Sequence, residues 1–168
     1  MSSYGEYTIQ GEGLVYSAWL GLTGVVETRI TCTRYQDSTM RLADEVNRKP
    51  ECYASIIPLR IAKTVGLEAL LAAQYSAYLA YLRGRSVARR KGLDTLLYLA
   101  GERNIGKALA VSAPREGETV LLLVTPSTCD AGEVPYAGSC TVPASSRESV
   151  SRTALAVVDM RLYKPPRR

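Results

Sequence analysis

The chain has 168 residues, of which 46% are hydrophobic, so it fits a single domain (residues 1–168) with a buried core. It contains no histidine, which excludes Ser-His-Asp and Cys-His catalysis and histidine-based zinc sites. Its net charge is +5, and its sixteen Arg against five Lys favour acidic or phosphate-bearing partners, because the guanidinium group is planar, forked and always charged.

The first third of the chain is predicted to consist mainly of strands. Residues 1–12 are polar and contain glycine, so we expect a loose N-terminus with one short strand. After it, apolar and polar residues alternate with a period of two, which is typical of strands with one buried face. The predicted elements are a strand near Tyr7–Ile9, strands Leu14–Leu22 and Val25–Thr33, a helix from Asp37 or Ser38 to Asn47, and a strand Cys52–Ile57 ended by Pro58.

The middle of the chain is predicted to be helical. Leu67–Arg83 carries an apolar stripe at helical spacing, and Gly84 fits the left-handed position that follows a helix. TVLLLVT, after the last helix of this region, is apolar on both faces and predicts a buried strand. The remaining predicted elements are one or two helical turns in Arg85–Lys91, a helix Leu93–Ala100 ended by Gly101, a helix Ile105–Val111 capped by Asn104, and the strand Thr119–Thr125.

The last part of the chain is predicted to be a loop, a helix and a basic tail. Pro126–Pro143 contains glycines and prolines, and Ser145 with Glu148 forms a capping-box pattern before a helix that ends near Leu162. Residues 163–168 form a basic tail. We therefore predict the α+β class, with a mixed or antiparallel sheet packed against a group of helices in one domain.

The four cysteines form no CxxC pair, which argues against a zinc site. We interpret Cys32 and Cys52 as small buried apolar residues in strand-like runs. Cys129 and Cys140 bracket the last loop, and they are either free thiols or a disulfide pair. Such a bond is unusual in a cytosolic protein outside hyperthermophilic microbes.

Residues 83–91, named here the arginine segment, hold five cations, and the first acid after them is Asp94. Two interpretations are open: a solvated connector, or a surface that contacts phosphates. The apolar block after it is predicted to build core through Leu96, Leu97, Leu99 and Ile105. Tyr98 is either a core ring or a platform on which a base stacks.

The stretch LLYLAGERNIGKAL, residues 96–109, resembles the LLYxSGxRQIxEAI stretch of the archaeal-type small adaptor subunit of the KEOPS complex. That family includes the human p53-related-protein-kinase-binding protein. GRSVARR resembles the family's GRNIAR segment, SIIPLRIA its central strand, and TVLLLV its next strand, so the likeness spans roughly residues 56–124. Thr95 stands where the family has Glu, and Gly106-Lys107 where it has Ser-Glu.

The resemblance implies a non-catalytic subunit, without a cofactor, of the complex that attaches threonylcarbamoyl to an adenosine of tRNA. It implies docking on the kinase-like ATPase subunit and binding of the single-stranded 3′ CCA end of tRNA. The alternative is a kinase-binding protein with no RNA contact of its own. The residues that we predict to contact RNA are Arg85, Arg89, Arg90, Arg103, Asn104 and Lys107.

Two further features bear on these partners. The backbone amides at residues 104–106 open a helix, where anions bind readily, and Gly106 either allows a ligand to approach closely or is simply tolerated. The final helix either packs in the core or docks on the kinase subunit through Val150, Ala154, Leu155, Val158 and Leu162. Because there is no leader peptide and no run of about 18 apolar residues, we expect a soluble, cytoplasmic protein.

Overall fold

A computed structural model describes the backbone of residues 5–10, 14–19, 25–101, 104–129 and 131–163, and the side chains of these ranges except 14–19, 25 and 160–163. The chain begins with three strands and then alternates helices with strands. In order, the elements are β1 (Glu6–Ile9), β2 (Leu14–Trp19), β3 (Val25–Arg34), α1 (Asp37–Asn47), β4 (Tyr53–Pro58), α2 (Leu59–Val65), α3 (Leu67–Leu82), α4 (Asp94–Ala100), α5 (Ile105–Ser112), β5 (Thr119–Thr125), β6 (Cys140–Pro143) and α6 (Arg147–Tyr163).

The main sheet has four antiparallel strands in the order β2-β3-β5-β4. β5 is buried on both faces because its residues alternate between two cores. Leu121 and Leu123 pack against Leu67 and Leu70 of α3, whereas Leu122 and Val124 belong to the cluster that contains Ala43 and Val46 of α1. The α+β prediction is confirmed, as is the prediction that TVLLLVT is a doubly buried strand.

A buried chain of polar side chains joins the sheet to α3 and α4. Both Ser55 and Thr95 donate to Oε1 of Gln74, at 2.6 Å and 2.9 Å. Gln74 Nε2 donates to Thr125 Oγ1 at 3.1 Å, and Thr125 is within 2.7 Å of Thr28 Oγ1. Since buried polar groups are stabilising only when they are paired, this network explains why α3 carries a glutamine on its inner face and why α4 carries Thr95 beside it.

A second sheet pairs β1 with β6 in antiparallel register, from Glu6 opposite Pro143 to Ile9 opposite Cys140. Ile9 and Val142 are fully buried in the core beside α2 and α3. The strand near Tyr7–Ile9 was therefore predicted correctly, but a loose N-terminus is wrong for residues 6–9. The local sequence pattern did not predict β6, because the strand that it pairs with lies at the other end of the chain.

Two local predictions are wrong. SIIPLRIA is not a central strand: β4 ends at Pro58 and lies at the edge of the sheet, and the residues after it form α2. The capping box at Ser145 is also absent, since Ser146 Oγ accepts the Ser149 amide proton at 3.1 Å instead. Ser145 Oγ accepts from the backbone amide of Ala69 at 2.9 Å, so it caps α3 rather than α6.

Glu68 connects three parts of the chain and gives a prediction for pH dependence. Its carboxylate accepts from the Ser145 amide and from the Tyr7 hydroxyl, each at 2.8 Å. Partial burial alone would raise the pKa of Glu68, but these hydrogen bonds outweigh burial and lower the pKa. The group thus stabilises the fold above its unfolded pKa of about 4.3, and this stability is lost as the pH falls through the folded pKa. We expect wild type to melt above Glu68→Gln at neutral pH, with the difference in Tm shrinking as the pH falls through the lowered pKa of Glu68. A difference that stays constant from neutral to acid pH would contradict this role.

Both alternatives for Cys129 and Cys140, a mutual disulfide or free thiols, are wrong; Cys32 and Cys52 are buried as predicted, but each is bonded. Cys32 bonds Cys140 and Cys52 bonds Cys129, with Cα–Cα distances of 6.2 Å and 6.1 Å. The reason is that the loop before β6 passes around the edge of β3, where Gly138 N donates to Cys32 O at 2.8 Å. Cys129, at the start of this loop, lies on the α1 side of the sheet, and Cys140, at its end, lies on the α3 side.

Candidate functional site

The arginine segment is held in place by a buried carboxylate. Asp94, the first residue of α4, is 1% exposed. Its Oδ2 accepts from the backbone amide of Val87 at 2.8 Å and its Oδ1 from that of Ala88 at 2.7 Å. Val87 and Ala88 are themselves buried in the cluster that contains Leu97 and Tyr98. The segment is therefore fixed to the core at its centre.

This fixation explains why the predicted helical turns in Arg85–Lys91 are wrong. The two amides bonded to Asp94 are not available for helical hydrogen bonds, and two consecutive buried residues are not compatible with the outward face of a surface helix. Gly92 follows with φ +99, and a Cβ there would collide with the backbone oxygen of Ala54. The prediction that Gly84 adopts a left-handed conformation is confirmed, with φ +68.

The cations of the arginine segment divide into two groups. Arg85 and Arg89 are exposed, and the described residues include no carboxylate within ion-pair distance of either. Arg90 is exposed but pairs with Asp44 of α1 at 3.3 Å. Lys91 Nζ donates to the backbone oxygens of Asn47 and Lys49, both at 3.0 Å, and therefore serves the C-terminal end of α1. Arg85 and Arg89, on either side of the buried pair Val87-Ala88, are consequently the members of the predicted RNA-binding set in this segment that have no ion-pair partner among the described residues.

The predicted start of α5 is correct, but it weakens the prediction of an anion site there. Asn104 Oδ1 accepts from the Lys107 amide at 3.0 Å. One of the backbone amides at the start of α5 is therefore already hydrogen-bonded and is not available to an anion. Gly106 is exposed, and a Cβ there would come close only to Asn104 Oδ1, at 3.3 Å. Arg103 lies outside the described residues. Asn104 thus acts first as a helix cap.

Two described members of the predicted RNA-binding set line different cavities. Arg90 lines a cavity of 190 Å³ between α1 and α5, together with Met40 and Leu96. Lys107 lines another cavity, with Ile61 and Leu99. No residue lines both cavities. That these residues contact one RNA stays a prediction.

Tyr98 is 1% exposed, so its interpretation as a core ring is confirmed and a stacking platform is wrong. Leu96 and Leu97 are buried, and Leu99 and Ile105 are partly buried against the same clusters, as predicted. The recognisable leucines of the 96–109 stretch thus build the interior of the protein, and Gly101 ends α4 with φ +65.

The final helix presents an apolar stripe to solvent. Three of its residues, Ser149, Thr153 and Val157, face α3 and α4 and are less than 10% exposed. The predicted docking residues lie elsewhere on the helix: Val150, Leu155 and Val158 are 37%, 68% and 54% exposed, and Ala154 is also exposed. These four are named here the α6 stripe. The side chain of Leu162 lies outside the described residues.

The α6 stripe continues into a groove between helices. Leu155 lines a cavity of 480 Å³ beside α4, and Val111 of α5, 67% exposed, lines a neighbouring cavity of 570 Å³. The two cavities share Thr64, Val65, Leu99 and Ala100, so they form one continuous depression, named here the helix groove. An exposed apolar surface of this kind is typical of a protein interface.

Arg60 is an important residue that the sequence did not indicate. Its Nη1 donates to the Val111 backbone oxygen at 2.8 Å, its Nη2 to that of Ala113 at 2.7 Å, and its Nε pairs with Glu118 at 3.2 Å. The guanidinium fork therefore satisfies carbonyl groups at the end of α5, beside the helix groove. No local pattern reveals this role, because the carbonyls lie 51 and 53 residues further along the chain.

No protein-family model matches the chain, and no curated protein matches its sequence significantly. The likeness to the KEOPS subunit thus stays a prediction. Among the described residues, no group of three or more Cys, Asp or Glu side chains is arranged to hold a metal ion. In the described part of the chain, no helix is both long and apolar enough to span a membrane.

Proposed function

We propose that the chain is a non-catalytic adaptor subunit of a KEOPS-type complex, which binds the 3′ CCA end of tRNA and docks on the kinase-like ATPase subunit. The observation that carries the proposal is the Asp94 contact. It joins the two pieces of sequence that resemble the family, GRSVARR and LLYLAGERNIGKAL, into one unit with its arginines outside.

The charges support contact with a single strand of RNA. Arg85 and Arg89 are exposed on either side of the fixed pair Val87-Ala88, and Arg90 is next to them. Arginine binds phosphate through a forked pair of donors and also stacks on bases. Fixing the backbone reduces the entropy that is lost when these side chains bind a strand. Lys107, which is exposed on α5, is expected to contact the same RNA, and Arg103 lies outside the described residues.

The α6 stripe and the helix groove support docking on a protein partner. They combine exposed Leu and Val side chains with a polar rim that includes Arg152 and Asp159. The α6 stripe and the helix groove are formed by residues outside the arginine segment. One molecule can therefore bind RNA and protein at the same time. In the proposed cytoplasmic setting, two disulfides indicate a hyperthermophilic cell, since reducing mesophilic cytosol disfavours them.

Reversing the charge of Arg85 and Arg89 together is expected to weaken tRNA binding about tenfold or more and to reduce the slope of log K against log salt by about 2. Arg90 is left unchanged because it pairs with Asp44. Arg90→Glu would replace that ion pair with two neighbouring carboxylates and so change the structure as well as the charge. The matched control is Arg34→Glu with Arg115→Glu, two exposed arginines outside the predicted RNA-binding set. Binding is measured by gel shift, with whole tRNA and with tRNA that lacks its CCA end. Equal effects of the two double variants would favour the alternative, a kinase-binding protein without RNA contact, and equal binding of the two tRNAs would remove the 3′ end as the target.

Leu155→Asp is expected to weaken binding to the kinase-like subunit about tenfold or more, because it introduces a charge at an exposed apolar position of the α6 stripe. The control is Leu82→Asp, since Leu82 is 49% exposed on α3 and lies outside the stripe. Affinity is measured by titration calorimetry, and the RNA gel shift should be unchanged for both variants. Equal loss of partner binding for Leu82→Asp, or none for Leu155→Asp, would contradict docking through α6.

A further inference from the structure

The two edge strands of the main sheet differ in how their outer backbone groups are satisfied. On β4, the side chain of Asn47 bonds both groups of Ala54: the Ala54 amide donates to Oδ1 at 2.7 Å, and Nδ2 donates to the Ala54 oxygen at 3.0 Å. This edge is therefore blocked at its centre. The other edge is β2, beyond which the described part of the chain contributes no further strand.

The hydrogen bonds of β3 show which residues of β2 face outward. Glu27 O accepts from Ser127 on the β5 side of β3, whereas Cys32 O accepts from Gly138 on the opposite side. Because backbone groups alternate along a strand, the even-numbered residues of β3 point toward β2. Their partners in register are Leu14, Tyr16 and Ala18. The N–H and C=O groups of Val15, Ser17 and Trp19 consequently point away from the sheet.

We propose that β2 pairs antiparallel with β2 of a second copy of the chain, so that two main sheets become one continuous sheet. A two-fold axis at Ser17 places Ser17 opposite Ser17 of the second copy and Val15 opposite Trp19 of the second copy. In this register all three outward-facing residues exchange backbone hydrogen bonds. Val opposite Trp is a favourable cross-strand combination of residue types. The interface is isologous and closes on itself as a dimer.

The sequence of β2 identifies a second copy as the occupant. Natural edge strands are usually protected by Lys, by Pro or by inward charges, because an open edge recruits other strands. β2 reads LVYSAW and carries none of these, although the chain has a net charge of +5. Two identical uncharged strands can approach without repulsion at the point of contact. A second copy of the chain is also the one partner that is present wherever the protein itself is present.

Amide hydrogen exchange on the full chain, followed by NMR at increasing protein concentration, tests the pairing residue by residue. The amides of Val15, Ser17 and Trp19 should become protected as the concentration rises, whereas those of Tyr16 and Ala18 should be protected throughout. Sedimentation velocity should show a monomer–dimer equilibrium over the same range. Exchange of the outward amides that does not change with concentration, or a monomer at every concentration, would overturn the proposal.

Ser17→Pro gives an independent test, because proline removes an outward donor and leaves the ladder to β3 intact. Ser17→Thr keeps the donor and is the matched control. The dissociation constant of the dimer should rise about tenfold or more for Ser17→Pro and stay near wild type for Ser17→Thr. A Ser17→Pro chain that folds and dimerises as well as wild type would overturn the proposal. If Ser17→Pro does not fold, the exchange pattern of the wild-type chain decides the question alone.

Discussion

Peptide mapping of the unreduced protein is expected to recover Cys32 linked to Cys140 and Cys52 linked to Cys129, and no peptide that links Cys129 to Cys140. The bonded pairs are 108 and 77 residues apart. Closing loops of that length lowers the entropy of the unfolded chain enough to stabilise the fold by about 4.5–5 kcal/mol for either bond taken alone in the chain-entropy model. One such bond is therefore comparable with the lower end of the total stability of about 5–15 kcal/mol of a typical domain.

Two double variants measure each bond without leaving a lone thiol: Cys32→Ala with Cys140→Ala, and Cys52→Ala with Cys129→Ala. Each is expected to lower the free energy of unfolding in guanidinium by about 4–5 kcal/mol, and reduction of the wild type should leave a marginally stable chain. The informative control is Cys32→Ala with Cys52→Ala, in which Cys129 and Cys140 remain. Both should be recovered as maleimide adducts when this variant is unfolded in the presence of the reagent, because they lie on opposite sides of the sheet and do not pair in the fold. A Cys129–Cys140 peptide from native protein would contradict the arrangement.

Asp94→Ala is expected to destabilise the protein by about 3–5 kcal/mol and to weaken RNA binding although no cation has changed. The variant leaves two buried amides, those of Val87 and Ala88, without an acceptor, and each such group costs about 1–3 kcal/mol. The arginine segment would then leave the core. The measurements are chemical denaturation, amide exchange at Val87 and Ala88, and the tRNA gel shift.

Asp44→Ala is the matched control for Asp94→Ala, because it removes an aspartate that also serves the arginine segment but is largely exposed. The side chains of Asp44 and Arg90 are 48% and 57% exposed, and surface ion pairs contribute about 0–1 kcal/mol. We expect Asp44→Ala to change stability within that range and to leave exchange at Val87 and Ala88 unaltered. An Asp94→Ala variant as stable as Asp44→Ala would contradict the role given to the buried carboxylate.

Much of the fold follows from local patterns. The period of two in β3, the uniformly apolar run of β5, the glycine after α4 and the asparagine before α5 all specify their elements through interactions within a few residues. The α+β class and the exposed position of Arg85 and Arg89 follow from the same patterns. Recognition of the 96–109 stretch also depends on local sequence, because its leucines must fill the interior in a fixed order.

Contacts between distant residues decided the rest. Ser145 reads locally as the cap of α6, yet it lies beside α3 and caps that helix instead, because β6 pairs with β1 and sets the path of the chain. Cys129 and Cys140 are neighbours in sequence but lie on opposite sides of the sheet, since the loop between them passes around β3. Asp94 reads as an ordinary first-turn acid, and only the packed structure shows that it fixes the arginine segment. The physical reason is the same in each case: a hydrogen bond or disulfide needs a partner in space, and the sequence of one segment does not state which partner folding brings there.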